Sequence, residues 1–327
     1  MFKVIDPDSG RNYVSIIPAS GDDQLSSLGT EDIKRLFRQH GALLFRGYRL
    51  ELDSFTDFSS HFCSRFVRNE SGRRLNISSD GTTQTVNLGQ EAFPLHPELS
   101  RVPWRPDIAW FACASAPASG GETLLCDGVP VVDKLRPETR EYLKGRQVLY
   151  REETPLQAFT EWLGIPEPDD AVLARLSRTS PFEFSFQGGR IFRSFLQPFF
   201  HKPLYCDGPA FGNFLLFARY MLKARVFPTF EDGSIIPDEI CQELKEVTDE
   251  LTTAHRWRPG DILMVDNSRV MHGRHEVLDM AGRVVWTQFG YSSFLPDDYP
   301  AKETWRESGD SRQIFFGPGA KLAATAG

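Results

Sequence analysis

The sequence predicts a mainly β fold decorated by helices, a sandwich or barrel of short strands. Two observations carry that expectation. From about residue 84 the apolar pattern breaks into short runs separated by turn residues, with an insert of helical periodicity between the earlier and later runs. The residues with the greatest chemical potential, His96 with Glu98 and the distant His272, sit at the two ends of that strand series.

Taken in order, residues 30–40 read as a helix: Thr30 can cap it, Ile33, Leu36 and Phe37 form one apolar face, and Gly41 stops it. Residues 42–45 then form a buried strand. Phe55, Phe58 and Phe62 mark a second amphipathic helix whose aromatic stripe belongs to the core. Strands are expected at 84–88, 108–115, 122–126, 147–151, 182–186, 262–265 and 284–291, and helices near 129–145, 156–163, 169–177, 211–224 and 237–253. Trp104, Trp257 and Trp286 are assigned to packing. With no internal repeat and no Pro/Ser/Gly linker, residues 1–327 read as one domain with its core at about 41–291. The tail 317–327 is small and apolar-poor and is expected to fray.

Composition narrows the function. The 327 residues are 40% hydrophobic, with 26 Phe and 6 Trp, enough to fill a sizeable core. Acidic residues outnumber basic ones by 44 to 37, and no cluster of Lys and Arg marks a nucleic-acid or anionic-membrane surface. Cys63, Cys113, Cys126, Cys206 and Cys241 are odd in number and form no CxxC pair, which argues against a disulfide framework or a zinc knuckle. The first residues lack a signal-peptide pattern, and no apolar run is long enough to span a bilayer. The expectation is a cytoplasmic enzyme with a small-molecule substrate, no nucleic-acid partner and room for a homo-oligomer.

His96 and Glu98 are two residues apart, so on an extended strand both side chains share a face. Pro97 favours that geometry by pushing His96 towards extended backbone. Alone, an HxE tripeptide is more often a surface turn than a metal site. Downstream, the turn 257–261 leads into a strand, the chain passes through Asn267 to His272, and a further strand follows Gly282. Alternation puts Arg283, Val285, Thr287 and Phe289 on one face. An arginine facing a barrel interior is costly unless an anion meets it, and a carboxylate suits its planar fork. Two imidazoles and a carboxylate are the donor set of a facial-triad iron site, and the same set suits zinc.

These residues resemble the TauD/TfdA family of Fe(II)- and 2-oxoglutarate-dependent dioxygenases. The resemblance rests on His96-Pro97-Glu98, on Thr123 in the turn Gly120-Gly121-Glu122-Thr123 lying 27 positions beyond His96, and on Arg283 lying 11 beyond His272. It implies a double-stranded β-helix (jelly roll) core decorated by α-helices. His96, Glu98 and His272 would hold Fe(II); Arg283 and Thr123 would hold 2-oxoglutarate, with O₂ as the second co-substrate. The implied reaction couples decarboxylation of 2-oxoglutarate to oxidation of a substrate C–H bond, ending in hydroxylation, desaturation or cyclisation. Glu98, where taurine-type members carry Asp, is similar to clavaminate-synthase-like members that oxidise amino acids, and it excludes the halogenating branch. Thr287 stands where taurine-type members place a second, sulfonate-binding arginine. His275 is eight positions from Arg283 and is read as a surface or supporting residue.

The expected substrate is therefore an amino acid or an intermediate built from one, with Asn87 and Arg193 as its candidate contacts. Asn87 reads equally as a strand-end residue bonded to its own backbone, and Arg193 as a snorkelling surface arginine. A sulfonate or aryloxy acid is the second substrate class. A zinc hydrolase and a non-catalytic 2-oxoglutarate sensor are the readings from other classes; both leave part of the motif set without a purpose.

Overall fold

A computed structural model describes residues 2–6, 12–19, 23–69, 73–297 and 299. Strands β1 (Phe2–Ile5) and β2 (Val14–Pro18) precede helix α1 (Thr30–His40), β3 (Ala42–Phe45), α2 (Leu52–Ser60), β4 (Cys63–Val67) and the short β5 (Gln84–Thr85). Next come β6 (Phe93–His96), β7 (Ile108–Ser115) and β8 (Thr123–Asp127). The insert comprises α3 (Gly128–Lys134), α4 (Pro137–Leu143), β9 (Gln147–Glu153), α5 (Leu156–Leu163), α6 (Asp170–Thr179), β10 (Glu183–Gln187) and β11 (Arg190–Pro198). It continues through β12 (Phe200–His201), β13 (Ala210–Phe211), α7 (Leu215–Tyr220), β14 (Thr229–Phe230) and α8 (Asp238–Leu251). The chain closes with β15 (Thr253–His255), β16 (Ile262–Asp266), β17 (Val270–Arg274) and β18 (Val284–Ser292).

Two sheets frame the molecule. The larger runs β1-β2-β3-β16-β7-β18-β4, with β5 also paired to β18; the smaller runs β15-β8-β17-β6. All their pairings are antiparallel except β2 with β3. Leu44, Phe111, Val265 and Phe289 of the larger sheet pack with Leu125 and Val270 of the smaller one, forming the layer between them. On its outer face the larger sheet is covered by α1 and α2, whose Phe37, Phe55 and Phe58 meet Phe45 and Trp110. The smaller sheet is backed by α3, α7 and α8 through Val131, Leu215 and Leu244. A further sheet, β10-β11-β9-β14, carries α5 and α6 on its own apolar cluster.

The mainly β architecture with helices agrees with the sequence reading, and α1, β3, β7 and α5 have the expected bounds. Differences have local causes. Gly29, not Thr30, occupies the N-cap position of α1, and no side chain caps it. The pattern at 129–145 is two helices, because Pro137 lacks an N–H and its fixed φ suits the start of α4. Only Leu215–Tyr220 of the 211–224 pattern is helical, and only Gln84–Thr85 of 84–88 pairs as strand. The tail 317–327 lies outside the described residues. Cys113 and Cys126 are buried core residues of β7 and β8. Among the described residues no helix is long and apolar enough to cross a membrane.

One buried ion pair ties β3 to the turn before β16. Arg46 donates through Nε and Nη2 to Asp261 at 2.8 and 2.6 Å, and Asp261 is 1% exposed. His255 Nε2 lies 3.3 Å from the same carboxylate, and the backbone N–H of Arg258 donates to it. Burial pushes the Asp261 carboxyl up, but these partners outweigh it and leave it below its ordinary value. A depressed folded-state value means that its stabilisation is present above the unfolded carboxylate range, near 4, and is lost as pH falls through the folded value. Replacing Arg46 by Met is expected to cost ~3 kcal/mol, the lower end for a broken buried pair, because Arg46 is partly exposed. Urea unfolding at neutral pH and near pH 3 checks this, and the loss should shrink at the acidic end.

Candidate metal and co-substrate site

The site begins with a cross-strand pair. β6 and β17 run antiparallel with His96 directly opposite His272. Residues so paired carry their side chains on one face within contact reach, and the two imidazole centroids are 4.8 Å apart. The register shifts just beyond, between His272 and Arg274. Gly273 lies there, and a Cβ in its place would sit 2.7 Å from the Phe93 carbonyl. The close approach of β6 to β17 therefore requires glycine.

Glu98 arrives differently from the sequence expectation. β6 ends at His96, Pro97 has no N–H for the ladder, and Glu98 lies in the following turn, where Leu99 adopts a left-handed φ of 52°. Asn267, from the turn between β16 and β17, fixes that turn. Its Oδ1 accepts from Glu98 N–H at 2.7 Å, and its Nδ2 donates to the carbonyls of Glu98 at 3.0 Å and Pro106 at 2.8 Å. The carboxylate is held in turn: Oε1 accepts from Asn69 Nδ2 at 2.6 Å and Oε2 from Arg74 Nη2 at 3.2 Å. Oε2 also lies 3.7 Å from His272 Nε2. Burial pushes the Glu98 carboxyl up, but Arg74 and the two imidazoles prevail and hold it at about 2.

The donor set fits a divalent ion. One ligand atom from each of His96, Glu98 and His272 lies within 4.8 Å of the others. The His96 Nδ1–H donates to the Pro94 carbonyl at 2.8 Å, leaving Nε2 its lone pair. Burial, reinforced by His272, lowers His96 to about 4, so its ring is neutral near pH 7. His272 Nδ1 is buried with no hydrogen-bond partner among the described residues.

A cavity of about 250 Å³ opens on these three residues and also reaches Thr123 and Arg283. Thr123 begins β8, and its Oγ1 accepts from Trp257 Nε1 at 3.1 Å. Trp257 therefore packs in the core, as expected, and also orients a cavity residue. Gly120 and Gly121 precede β8 with φ of 72° and 73°, and a Cβ on Gly120 would fall 2.3 Å from the Glu276 carbonyl. Burial lowers the Arg283 guanidinium, whose Nε has no partner among the described residues. Phe93, Phe214 and Phe217 form an aromatic wall, with Phe217 edge-on to His96 at 4.8 Å.

The remaining sequence candidates fall in three places. Asn87 lines the cavity, yet its Oδ1 accepts from Gly89 N–H at 3.0 Å, the backbone-bonded alternative. Arg193 does not reach the cavity. It lies on β11, paired with Glu152 at 3.0 Å and donating to Thr154, so its expected substrate contact is corrected to a structural ion pair. His275 is 55% exposed on its side chain and lies 3.4 Å from Glu122, while Thr287 is buried and donates to the Trp110 carbonyl. Asn69, Arg74 and Arg274 were not foreseen. Arg274 was within reach, since it lies two residues beyond His272 on one strand. Its guanidinium donates to the carbonyls of Asn87, Gly89 and Glu91.

Residues 11–287 match the model of the taurine catabolism dioxygenase TauD, TfdA family, and the chain belongs to that family. It is thus a non-haem dioxygenase dependent on Fe(II), with 2-oxoglutarate and O₂ as co-substrates. Relatives are more distant. The chain is 22% identical over 284 residues to 3-((Z)-2-isocyanoethenyl)-1H-indole synthase of Fischerella ambigua, covering 83% of this chain and 90% of that one. It is 24% identical to a clavaminate synthase-like protein of Arabidopsis thaliana, covering 73% and 78%. The solved structure of PvcB from Pseudomonas aeruginosa superposes with a TM-score of 0.57 at 16% identity, over 88% of this chain and 90% of that one. A fold likeness of the same order, TM-score 0.58 at 17% identity over 90% and 98%, links it to a putative 2,4-D dioxygenase from Burkholderia xenovorans.

Removing an outer partner of a metal ligand typically costs 10–100-fold in metal affinity. Asn69→Ala is expected to weaken Mn(II) binding by about tenfold, while Glu98→Ala, which deletes a candidate ligand, should weaken it by at least roughly a hundredfold. Titration followed by the electron paramagnetic resonance of free Mn(II) checks both. Wild-type affinity in Glu98→Ala would remove Glu98 from the metal site.

Proposed function

We propose that this family member oxidises a C–H bond of a small polar molecule, an amino acid or a biosynthetic intermediate built from one. His96, Glu98 and His272 hold the Fe(II), and Arg283 with Thr123 holds the distal carboxylate of 2-oxoglutarate. The observation that carries this reading is the convergence of the paired imidazoles, the buried carboxylate and the partly buried Arg283, with its unpartnered Nε, on one cavity. We read the two facing sheets as the two halves of a double-stranded β-helix, with the site between them.

The bound metal and its co-substrates supply the oxidising power. What this chain's residues add is placement. Neutral His96, with Nδ1 tied to Pro94, presents Nε2 to the ion. Glu98 stays ionised and cannot rotate freely, because Asn69 and Arg74 hold both oxygens. A carboxylate on Arg283 would receive the charge-assisted hydrogen bonds that its guanidinium needs when buried. Thr123, oriented by Trp257, offers a hydroxyl beside it.

The substrate class is supported by three observations. Glu98 stands where clavaminate-synthase-like members carry Glu. Thr287 is buried and bonded to the Trp110 carbonyl, so the second-arginine position of sulfonate oxidisers is closed. Relatives named as an isocyanoethenyl-indole synthase and as pentalenolactone F synthase point to biosynthesis in preference to catabolism. A zinc hydrolase or a passive sensor would leave Arg283, Thr123 or the intact triad without a role.

The test is succinate release from protein reconstituted with Fe(II), 2-oxoglutarate and O₂, with and without free amino acids, N-modified amino acids, sulfonates and aryloxy acids. Stimulation by the amino-acid group is expected; stimulation by sulfonates or aryloxy acids alone would overturn the substrate assignment. Arg283→Gln should raise KM for 2-oxoglutarate by roughly 10–100-fold, the worth of lost hydrogen bonds to a charged group. An unchanged KM would move the co-substrate elsewhere.

A further inference from the structure

The charges around the cavity do not balance within the protein. Among the described residues lining it, Glu98 is the sole carboxylate, against Arg74, Arg101, Arg274 and Arg283. Arg101 lies at the rim, 44% exposed on its side chain and paired with Glu152 at 2.7 Å. Arg274 spends both terminal nitrogens on backbone carbonyls. On the proposed co-substrate reading, Arg283 meets the distal carboxylate of 2-oxoglutarate. That leaves Arg74.

Its surroundings are unusual for a cation. The side chain is 11% exposed, and the guanidinium lies 5.1 Å from the centroid of the Phe289 ring. Nη2 donates to Glu98 Oε2 at 3.2 Å, while Nε and Nη1 are buried with no hydrogen-bond partner among the described residues. Glu98 Oε2 is also the oxygen nearest His272 Nε2, on the side where the ligand atoms converge. A divalent ion there competes with Arg74 for the same carboxylate charge. A dication, Glu98, doubly charged 2-oxoglutarate and Arg283 neutralise one another, so the loaded site holds Arg74 without a full counter-charge. A buried guanidinium in that state is strongly disfavoured unless another anion reaches it.

We infer that Arg74 anchors a carboxylate of the substrate, whose apolar body lies along Phe93, Phe214 and Phe217. The three rings line the same cavity as Arg74 and stack on one another, with centroids 5.8 Å apart for Phe93–Phe217 and 4.9 Å for Phe214–Phe217. A flat or extended apolar group fits beside such a wall, and a planar fork favours a planar two-oxygen acceptor. Arg74 thereby takes the role that the sequence offered to Arg193. This inference rests on the proposed site for metal and 2-oxoglutarate.

The experiment compares an acid with its amide. Protein saturated with Mn(II) and 2-oxoglutarate is titrated calorimetrically with 3-phenylpropionate, indole-3-propionate and the matching carboxamides. Wild-type protein is expected to prefer each acid over its amide by at least about tenfold, as lost hydrogen bonds to a charged group imply. Arg74→Gln should abolish the preference, and Arg74→Lys, which keeps the charge without the fork, should retain part of it. Mn(II) occupancy is read in every variant by electron paramagnetic resonance, so that metal loss is not mistaken for lost substrate binding. Wild-type protein that binds neither acid, or binds acid and amide alike, overturns the inference, as does an undiminished preference in Arg74→Gln. Titration with 2-oxoglutarate alone separates the two levels: its failure in wild-type protein would sink the Arg283 reading, whereas the acid–amide ratio reports on Arg74.

Discussion

The antiparallel pairing of β6 with β17, which sets His96 opposite His272, is the constraint on which the site depends. It is a backbone interaction with a chemical consequence. Ladder hydrogen bonds fix the register, and register fixes which side chains share a face; a slip of one residue would turn an imidazole away from its partner. Gly273 permits the approach, and β17 is held from its other side by β8, whose first residue is Thr123. One small sheet thus carries two of the three candidate ligands and one candidate co-substrate residue.

The third candidate ligand depends on a side chain clamping a backbone. Asn267 satisfies the N–H and the carbonyl of Glu98 while also binding Pro106, which joins the turn after β6 to the turn before β17. Buried backbone groups in an irregular turn need such partners. Similar reasoning explains the polar chain behind the cavity. Trp257 donates to Thr123 and packs edge-on against His255 at 4.6 Å, and His255 meets Tyr13 and Asp261. The pair Arg46–Asp261 then connects this layer to β3. Polar residues are buried here in mutually bonded sets, which gives rigidity without stranding charge.

Much of this was legible in the sequence. Short apolar runs between turns marked β7 and β16, alternation marked β18, and the spacing of His96, Glu98, His272, Thr123 and Arg283 marked residues that the fold gathers around one cavity. What escaped has physical reasons. β17 is short and carries His272, Gly273 and Arg274, so its residue types suggest a loop even though five consecutive residues are buried. β11 alternates weakly because much of it is partly exposed. Asn69 and Arg74 come from a polar stretch with no period, and only tertiary contact reveals what they hold. Arg193 misled because an arginine among aromatics has the same appearance in sequence whether its partner is a ligand or, as here, Glu152.

On the proposed function, one cavity holds the metal on His96, Glu98 and His272 and the 2-oxoglutarate carboxylate on Arg283. Crystals grown without oxygen in Mn(II) and 2-oxoglutarate, measured for anomalous scattering, test it most directly. The expected result is a single strong anomalous peak bonded to His96, Glu98 and His272, with density for 2-oxoglutarate running from that peak to the Arg283 guanidinium. A metal bound without one of those three residues, or a co-substrate whose distal carboxylate lies away from Arg283, would contradict it.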